Sequence, residues 1–239
     1  MFDYLANPSR FTRLSDRLFM PICIITVICL GAGLYLALFA SPADYQQGDT
    51  VRIIYIHVPA AWLALFGYVG LGLCGLFYIV WRHPLADIAA RAIAPVGAVF
   101  AFLTLITGAL WGKPMWGAWW VWDARLTSML ILFFFYLGVI ALANGFDRPE
   151  RGSRPAALLA MVGVINVPIV KFSVDWWNTL HQPASLLRSG GPAIDGSMLT
   201  PLILMLIGAH GYFIIVVILR MRALLAERRL AAIRLRPGA

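Results

Sequence analysis

The sequence has few charged residues, and their scarcity excludes an ordinary water-soluble domain. Only 13% of the 239 residues are charged, whereas 61% are hydrophobic. A soluble domain of this length would need far more polar side chains to cover its surface. The composition therefore indicates that lipid surrounds most of the chain.

Cysteine is also scarce, and a glycine-rich phosphate-binding loop is missing. The three cysteines, Cys23, Cys29 and Cys74, lie in apolar runs, and none belongs to a CxxC or CxxCH pattern. The sequence thus argues against disulfides, zinc sites and covalent c-type haem attachment within this chain. Without a phosphate-binding motif, we do not expect the chain to hydrolyse ATP itself.

Long apolar runs are what the sequence has in abundance. A helix needs about 20 apolar residues to cross the ~30 Å hydrocarbon core of a bilayer, and six runs have about this length. They lie at about 18–40, 53–80, 92–110, 126–144, 156–174 and 198–219. The sequence therefore predicts an all-α polytopic membrane protein, in which residues 1–239 form a single domain of six transmembrane helices.

The distribution of basic residues predicts the orientation, because Lys and Arg concentrate on the cytoplasmic side of a membrane protein. Fourteen of the 19 Lys and Arg lie before the first helix, in the second and fourth connections, or in the tail. The other five lie in the remaining connections or at their edges. We expect both termini in the cytoplasm, with the basic tail (about 220–239) near anionic lipid or an acidic partner.

Tryptophan is concentrated in the third connection, in the sequence WGKPMWGAWWVWDARLT of residues 111–127. Five of the nine tryptophans lie in it: Trp111, Trp116, Trp119, Trp120 and Trp122. An aromatic belt would place Trp about equally at both membrane surfaces. Trp176 and Trp177 also fall on the predicted periplasmic side, and Trp81 alone marks the cytoplasmic boundary. The clustering favours a platform for a large planar ligand over a belt.

If the residues after Pro114 form a short helix along the membrane surface, Trp116, Trp119, Trp120 and Asp123 share one face of it. Asp123 would then accept a hydrogen bond from an indole N–H or pair with Arg125. Arg125 and Lys113 would be placed to meet the carboxylates of a ligand.

Two of the four histidines fall at the same end of the helices as the Trp-rich loop. His57 opens the second helix in YIHVPAAW, and His181 follows the fifth helix in DWWNTLHQP. An aromatic platform flanked by two imidazoles suits a haem whose iron is ligated axially from both sides. His83 is interpreted as a cytoplasmic interface residue. His210 lies mid-helix, where a hydrogen bond to a neighbouring helix is expected.

These motifs resemble those of the WWD haem-handling membrane proteins of cytochrome c biogenesis. The resemblance rests on WGAWWVWDARLT, YIHVPAAW and TLHQP, and the six-helix length is most similar to the CcmC family of the System I machinery. It implies that His57 and His181 are the axial haem ligands and that Arg125 helps to place a propionate. The haem platform that it implies consists of Trp111, Trp116, Trp119, Trp120, Trp122 and Asp123.

The resemblance also implies a function and a set of partners. Members of this family bind haem b transiently on the periplasmic face of the bacterial inner membrane and deliver it to the haem chaperone CcmE. They work with the ABC-complex subunits CcmA and CcmB and with the small helper CcmD. We therefore expect a binding and transfer module rather than an enzyme. Arg52 and Arg188 are weaker candidates for propionate or chaperone contacts, and equally good candidates for interfacial anchors.

Two other functions stay open at the level of the sequence. A membrane b-type cytochrome usually holds its haem ligands within the helix bundle, yet only His210 lies mid-membrane. A haem-translocating permease subunit would have polar residues inside the membrane. Asn166, Pro168 and Lys171 in the fifth apolar run are the nearest hints of such a pathway.

Overall fold

The computed structural model describes residues 7–177, 179–181, 191 and 194–234, which form α-helices joined by loops. The helices are α1 (Pro8–Tyr35), α2 (Ile54–Trp81), α3 (Pro84–Trp116), α4 (Ala124–Asn144), α5 (Pro149–Gly163), α6 (Asn166–Trp176) and α7 (Gly196–Arg234). A π-helical turn (Leu36–Ala40) continues α1, and a 3₁₀ turn (Asp49–Ile53) leads into α2.

Six helical stretches of the described residues are long and apolar enough to cross a membrane, which confirms the predicted all-α, six-span fold. Together α5 and α6 form the fifth stretch, Glu150–Trp176. The helices extend beyond the apolar runs, since α1 begins at Pro8, α3 ends at Trp116 and α7 continues to Arg234. A hydropathy pattern marks only the part of a helix that lies in hydrocarbon, so it underestimates helices that project from the membrane.

The fifth span is interrupted because of its own sequence. Pro168 has no N–H to donate to the carbonyl of Val164, and its ring would clash with that carbonyl in a continuous helix. The helix pauses at Val164 and Ile165 and resumes at Asn166. Asn166 is buried, and its Nδ2 donates to the backbone oxygen of Ser128 in α4 at 2.8 Å. This hydrogen bond fixes α6 against α4.

The core surrounds two fully buried tyrosines between α2, α3 and α4. Tyr68 and Tyr136 meet edge to face, with their ring centroids 4.8 Å apart. The hydroxyl of Tyr136 donates to the backbone oxygen of Ala64 at 2.7 Å, which offsets the cost of burying that hydroxyl. A Cβ on Gly97 would overlap the Tyr136 ring. Glycine at this position therefore lets α3 and α4 approach each other closely.

Helix α1 is peripheral and packs mainly on α7. Gly208 of α7 lies against Leu30, where an added Cβ would come within 2.7 Å of the leucine side chain, and Gly211 lies against Thr26. Small residues at such positions allow two helix backbones to come close. Contacts of α7 with α2 and α3 join this helix pair to the rest of the bundle.

A buried ion-pair network lies at the end of the bundle where α3 begins. Asp87, on the first turn of α3, pairs with Arg91 at 3.2 Å and also with Arg228 of α7. Arg91 donates further to the backbone oxygen of Ala143 at 2.7 Å and to Ser153 Oγ at 3.1 Å. These contacts link α3, α4, α5 and α7. Asp87 and Arg91 are both largely buried, so removing one of them would leave the other without this ion-pair partner, which is costly.

We expect Gly97→Ala to lower the Tm of the purified protein in detergent, because the new methyl group must displace a fully buried tyrosine ring. Overpacking of this kind costs about 1–3 kcal/mol. Gly31→Ala in α1 is the matched control, since nothing lies within 4 Å of an added Cβ there. Circular-dichroism melts measure both variants, and equal melting temperatures would contradict the packing described here.

Candidate ligand-binding site

A cavity of about 240 Å³ is formed by α2, α3, α4, α6 and the segment that follows α6. Its walls are mostly apolar, but two histidines and two cationic residues line it. The lining residues are His57, Val58, Ala61, Trp62, Leu65, Thr104, Leu105, Gly108, Arg125, Leu126, Met129, Val170, Lys171 and His181. The fold thus brings His57, Arg125 and His181 together at one cavity, although they lie far apart in the sequence.

His57 lies on the first turn of α2, with its Nδ1 2.9 Å from Thr107 Oγ1 in α3. The Thr107 hydroxyl donates its single hydrogen to the Leu103 oxygen at 2.7 Å, so it accepts from His57 Nδ1–H. A neutral imidazole with its proton on Nδ1 leaves the Nε2 lone pair free. An added Cβ on Gly108 would lie 3.3 Å from His57 Cε1. Helix α3 therefore both orients this ring and leaves room for it.

His181 is oriented in the same way by Asp123. Its Nδ1 lies 3.1 Å from Asp123 Oδ2, and the two side chains are only 14% and 8% exposed. Burial lowers the pKa of His181 below its ordinary value, and the Asp123 carboxylate opposes this shift because it stabilises the imidazolium. At neutral pH the ring is therefore neutral, with Nδ1–H donating to Asp123 and the Nε2 lone pair free.

Asp123 also caps the N-terminus of α4. Its Oδ1 accepts from the backbone N–H of Leu126 at 2.8 Å, while its Oδ2 accepts from His181. The predicted contact of Asp123 with an indole N–H is absent from the described residues, and the imidazole takes that place. An acceptor at this position stabilises the start of a helix, so capping accounts for one of the two carboxylate oxygens.

Arg125, on the first turn of α4, reaches across to α6. Its Nε donates to Ser173 Oγ at 3.3 Å, and one Nη donates to the Lys171 oxygen at 3.2 Å. A guanidinium has five N–H donors, so these two bonds leave others for a ligand. Since Arg125 lines the cavity, those donors suit an anionic group there.

The Trp-rich segment does not form the short surface helix that its periodicity suggests. Helix α3 continues through Pro114 to Trp116 and ends at Gly117, whose φ of +77° lies in the left-handed region that favours glycine. Residues 117–123 are not helical, and α4 begins only after Asp123. The suggested helix is absent because Gly117 ends a helix that arrives from α3, so no new helix starts after the proline.

Two tryptophans of this segment connect His181 to the first loop. Trp116 lies edge-on to His181 with ring centroids 4.9 Å apart, and Trp111 lies edge-on to Trp116 at 5.1 Å. The Trp111 Nε1 donates to Gln47 Oε1 at 2.8 Å. Trp111 and Trp116 therefore form a row of aromatic contacts that packs against the His181 imidazole, which lines the cavity.

The other three tryptophans of the segment have no ring contact with His181 among the described residues. Trp119 and Trp122 are 56% and 77% exposed. Trp120 packs edge-on to Trp122, and its buried Nε1 has no hydrogen-bond partner among the described residues. None of the segment's tryptophans is among the residues described as lining the cavity.

Comparison with known proteins places the chain in a family. A sequence model of the CcmC family, described as heme exporter protein C, matches residues 1–236. The chain is 53% identical to heme exporter protein C of Bradyrhizobium diazoefficiens over 231 residues, covering 97% of this chain and 88% of that protein. It is 43% identical to heme exporter protein C of Escherichia coli K12 over 227 residues, covering 94% and 91%. The chain belongs to the heme exporter protein C family.

In this member of the heme exporter protein C family, the other candidate cations have different partners. Arg52 donates to two backbone oxygens of the π-helical turn at 2.6 and 2.9 Å and pairs with Asp49 at 3.1 Å. Lys113 donates to the Gly117 oxygen at 3.2 Å. Neither is among the residues described as lining the cavity. Arg188 lies outside the described residues.

The other two histidines of this family member do not line the cavity as described. His210 Nδ1–H donates to the Leu206 oxygen at 2.7 Å, and His210 Nε2 accepts from Trp62 Nε1 at 3.0 Å. This is the interhelical hydrogen bond that the sequence predicts, with α2 as the neighbour. His83 lies in the two-residue connection between α2 and α3.

Three residues at or beside the cavity of this family member were not predicted to lie there. Thr107 orients His57, and Trp62 lines the cavity. Lys171 lines the same cavity, although the sequence associated it only with a translocation pathway. Polar residues inside apolar runs were a usable signal for Thr107 and Lys171. No signal distinguished Trp62, because one more aromatic ring in a membrane helix is ordinary.

We expect Asp123→Asn to lower the pKa of His181 further, because the substitution removes the negative charge that stabilises the imidazolium. Asparagine can still cap α4, so the variant is expected to fold. Titration of ¹⁵N-histidine-labelled protein by NMR, with His181→Gln to assign the signal, measures the change. Asp175→Asn is the control, since this carboxylate is exposed and His181 is bonded to Asp123. An unchanged or higher pKa in Asp123→Asn would contradict the assignment.

Proposed function

We propose that this chain binds haem b at the two-histidine cavity and hands it to the haem chaperone CcmE on the periplasmic side of the bacterial inner membrane. The observation that carries the proposal is the convergence of His57 and His181 on one cavity, each with Nδ1 engaged and with no partner at Nε2 among the described residues. The relatives bear the name heme exporter protein C, which is consistent with haem as the cargo.

The state of the two imidazoles suits axial ligation of iron. Neutral imidazole binds iron through an unprotonated nitrogen, and burial keeps His181 unprotonated at neutral pH. Outer hydrogen bonds from Nδ1 orient a ligating ring and increase the basicity of Nε2. Thr107 supplies this bond for His57, and Asp123 supplies it for His181. In this proposal Asp123 acts on the haem through His181 and not as part of a flat platform.

The dimensions of the cavity suit partial enclosure of the cargo. Its volume of about 240 Å³ is below the ~300–1,000 Å³ of pockets that engulf a small molecule. One edge of the porphyrin would therefore project from the cavity, where Trp119 and Trp122 expose their rings. Indole faces stack on planar aromatic ligands, so these tryptophans would support the exposed edge without enclosing it. Such an edge is accessible to a docking chaperone.

The orientation of the chain follows from its charges. The basic residues predict cytoplasmic termini, and the Trp-rich loop of residues 111–127 then lies in the periplasm together with the cavity. The exposed end of α7 carries Arg229 and Arg234, which suits anionic lipid or an acidic partner at the cytoplasmic surface. Residues 1–239 act in this proposal as one membrane domain.

The chain would bind and transfer haem without catalysing a reaction of its own. Two imidazole ligands and aromatic packing hold haem tightly, so release needs a conformational change driven from elsewhere. The sequence has no phosphate-binding loop, and we propose that ATP hydrolysis by the CcmA–CcmB complex, assisted by CcmD, drives this change. A membrane b-type cytochrome is less favoured, because both ring nitrogens of the mid-membrane His210 are already hydrogen-bonded.

The direct test is the visible spectrum of the purified protein with added haem. We expect a six-coordinate low-spin spectrum, which His57→Ala and His181→Ala each convert towards a five-coordinate high-spin form. Affinity for haem should fall at least about tenfold, because even outer-sphere changes at such sites have effects of this size. Added imidazole should restore the low-spin spectrum in both variants by filling the vacated position.

His83→Ala is the matched control for this test, because His83 lies in the connection between α2 and α3, away from the cavity. Its spectrum should equal that of the unmodified protein. If both His57→Ala and His181→Ala leave the low-spin spectrum unchanged, the ligand assignment is wrong.

Transfer is tested separately from binding. Haem-loaded protein, reconstituted with CcmA, CcmB and CcmD, is mixed with haem-free CcmE, and the haem that appears on CcmE is measured with and without ATP. We expect transfer to depend on ATP, since the tight site described above must be opened. Equal transfer without ATP would show that release needs no such drive.

A further inference from the structure

We propose that Lys171 is the second carboxylate-binding cation of the cavity, and that together with Arg125 it recognises the two propionates of the haem. This inference rests on the proposed function, and it adds that the protein recognises its cargo by the two propionates. Lys171 lies on α6 and Arg125 on α4, and a hydrogen bond of 3.2 Å from the Arg125 guanidinium to the Lys171 oxygen places the two residues side by side.

The first argument is the charge of the cavity. Arg125 and Lys171 are the formally charged side chains among the residues described as lining it, and no carboxylate accompanies them there. The two histidines cannot balance these charges, because an imidazole is either neutral or cationic. A cation placed within a membrane bundle is costly unless a counter-charge meets it. Two cations at one apolar cavity therefore suit a ligand with two negative groups.

The second argument is that the nearest carboxylates do not neutralise Lys171. Both oxygens of Asp123 are engaged, one by His181 and the other by the N–H of Leu126. Asp175 lies one turn further along α6 but is exposed. The chain between His181 and Asp195 contains no acidic residue at all, so the loop that follows the cavity cannot supply one.

The third argument is that both cations keep N–H donors that no described residue uses. The Lys171 ammonium has no hydrogen-bond or ion-pair partner among the described residues, and its four-carbon stem gives it reach. The Arg125 guanidinium uses one donor on Ser173 and one on the Lys171 backbone, which leaves N–H groups for a carboxylate. His57, His181, Arg125 and Lys171 all line the same cavity, so one ligand bound there meets both the imidazoles and the cations.

Haem meets these requirements because it carries two propionates on one edge of a planar, iron-containing ring. The dimethyl ester of haem keeps the iron, the ring and the axial coordination but has no negative charge. The two molecules therefore separate carboxylate recognition from iron ligation.

The test is a spectroscopic titration of the purified full-length protein in detergent with haem and with haem dimethyl ester. We expect the unmodified protein to bind haem about tenfold or more tightly than the ester, as charge-assisted hydrogen bonds of this kind allow. Lys171→Met should lower haem affinity and shrink this preference while keeping the low-spin spectrum. Lys171→Arg should retain most of the preference, because the charge is kept.

Arg17→Met is the control, since Arg17 is an exposed residue of α1 far along the chain from the cavity, and its preference for haem should be unchanged. A low-spin spectrum in Lys171→Met shows that the variant folds with its iron ligands in place. The inference is overturned if the unmodified protein binds haem and its ester equally, or if Lys171→Met keeps the full preference for haem. In either case a low-spin spectrum leaves the proposed haem binding intact, whereas failure to bind either molecule overturns both.

Discussion

The hydrogen bond between His181 and Asp123 is the interaction on which the site depends. One oxygen of the carboxylate starts α4, and the other holds the imidazole, so the position of the ring is set by the first turn of that helix. Arg125 follows on the same turn and lines the same cavity. The start of one helix therefore fixes an imidazole and a guanidinium relative to each other. The residue that does so, Asp123, belongs to the Trp-rich segment.

The second imidazole is held by a different but equivalent device. His57 is oriented by Thr107, whose hydroxyl donates a hydrogen bond to a backbone oxygen of α3 and accepts one from His57. In both cases the outer partner engages Nδ1, and Nε2 has no hydrogen-bond partner among the described residues. One partner is a neutral hydroxyl and the other is a carboxylate, so the two rings differ in basicity. In the proposed function, His57 and His181 would therefore be unequal iron ligands.

The sequence predicted the spans and the convergence of the two histidines, because apolar length and helix alternation depend on the bilayer and not on detailed packing. It failed where local competition decides the outcome. Periodicity suggested a helix after Pro114, but the left-handed conformation at Gly117 ends α3 there. The partnership of Thr107 with His57 depends on the rotation of α3 against α2, which no pattern within one helix encodes. Lys171 could be recognised in the sequence as a charge within an apolar run. The cavity that it lines could not, because four helices together form it.

His210 is a potential metal ligand whose ring nitrogens are both engaged in hydrogen bonds within the bundle. Both of its ring nitrogens are satisfied, one by its own helix backbone and the other by the indole of Trp62, so the ring has no lone pair to offer to a metal. A metal-containing ligand that entered the bundle would therefore find no open nitrogen at His210. In the proposed function, this leaves the iron to His57 and His181.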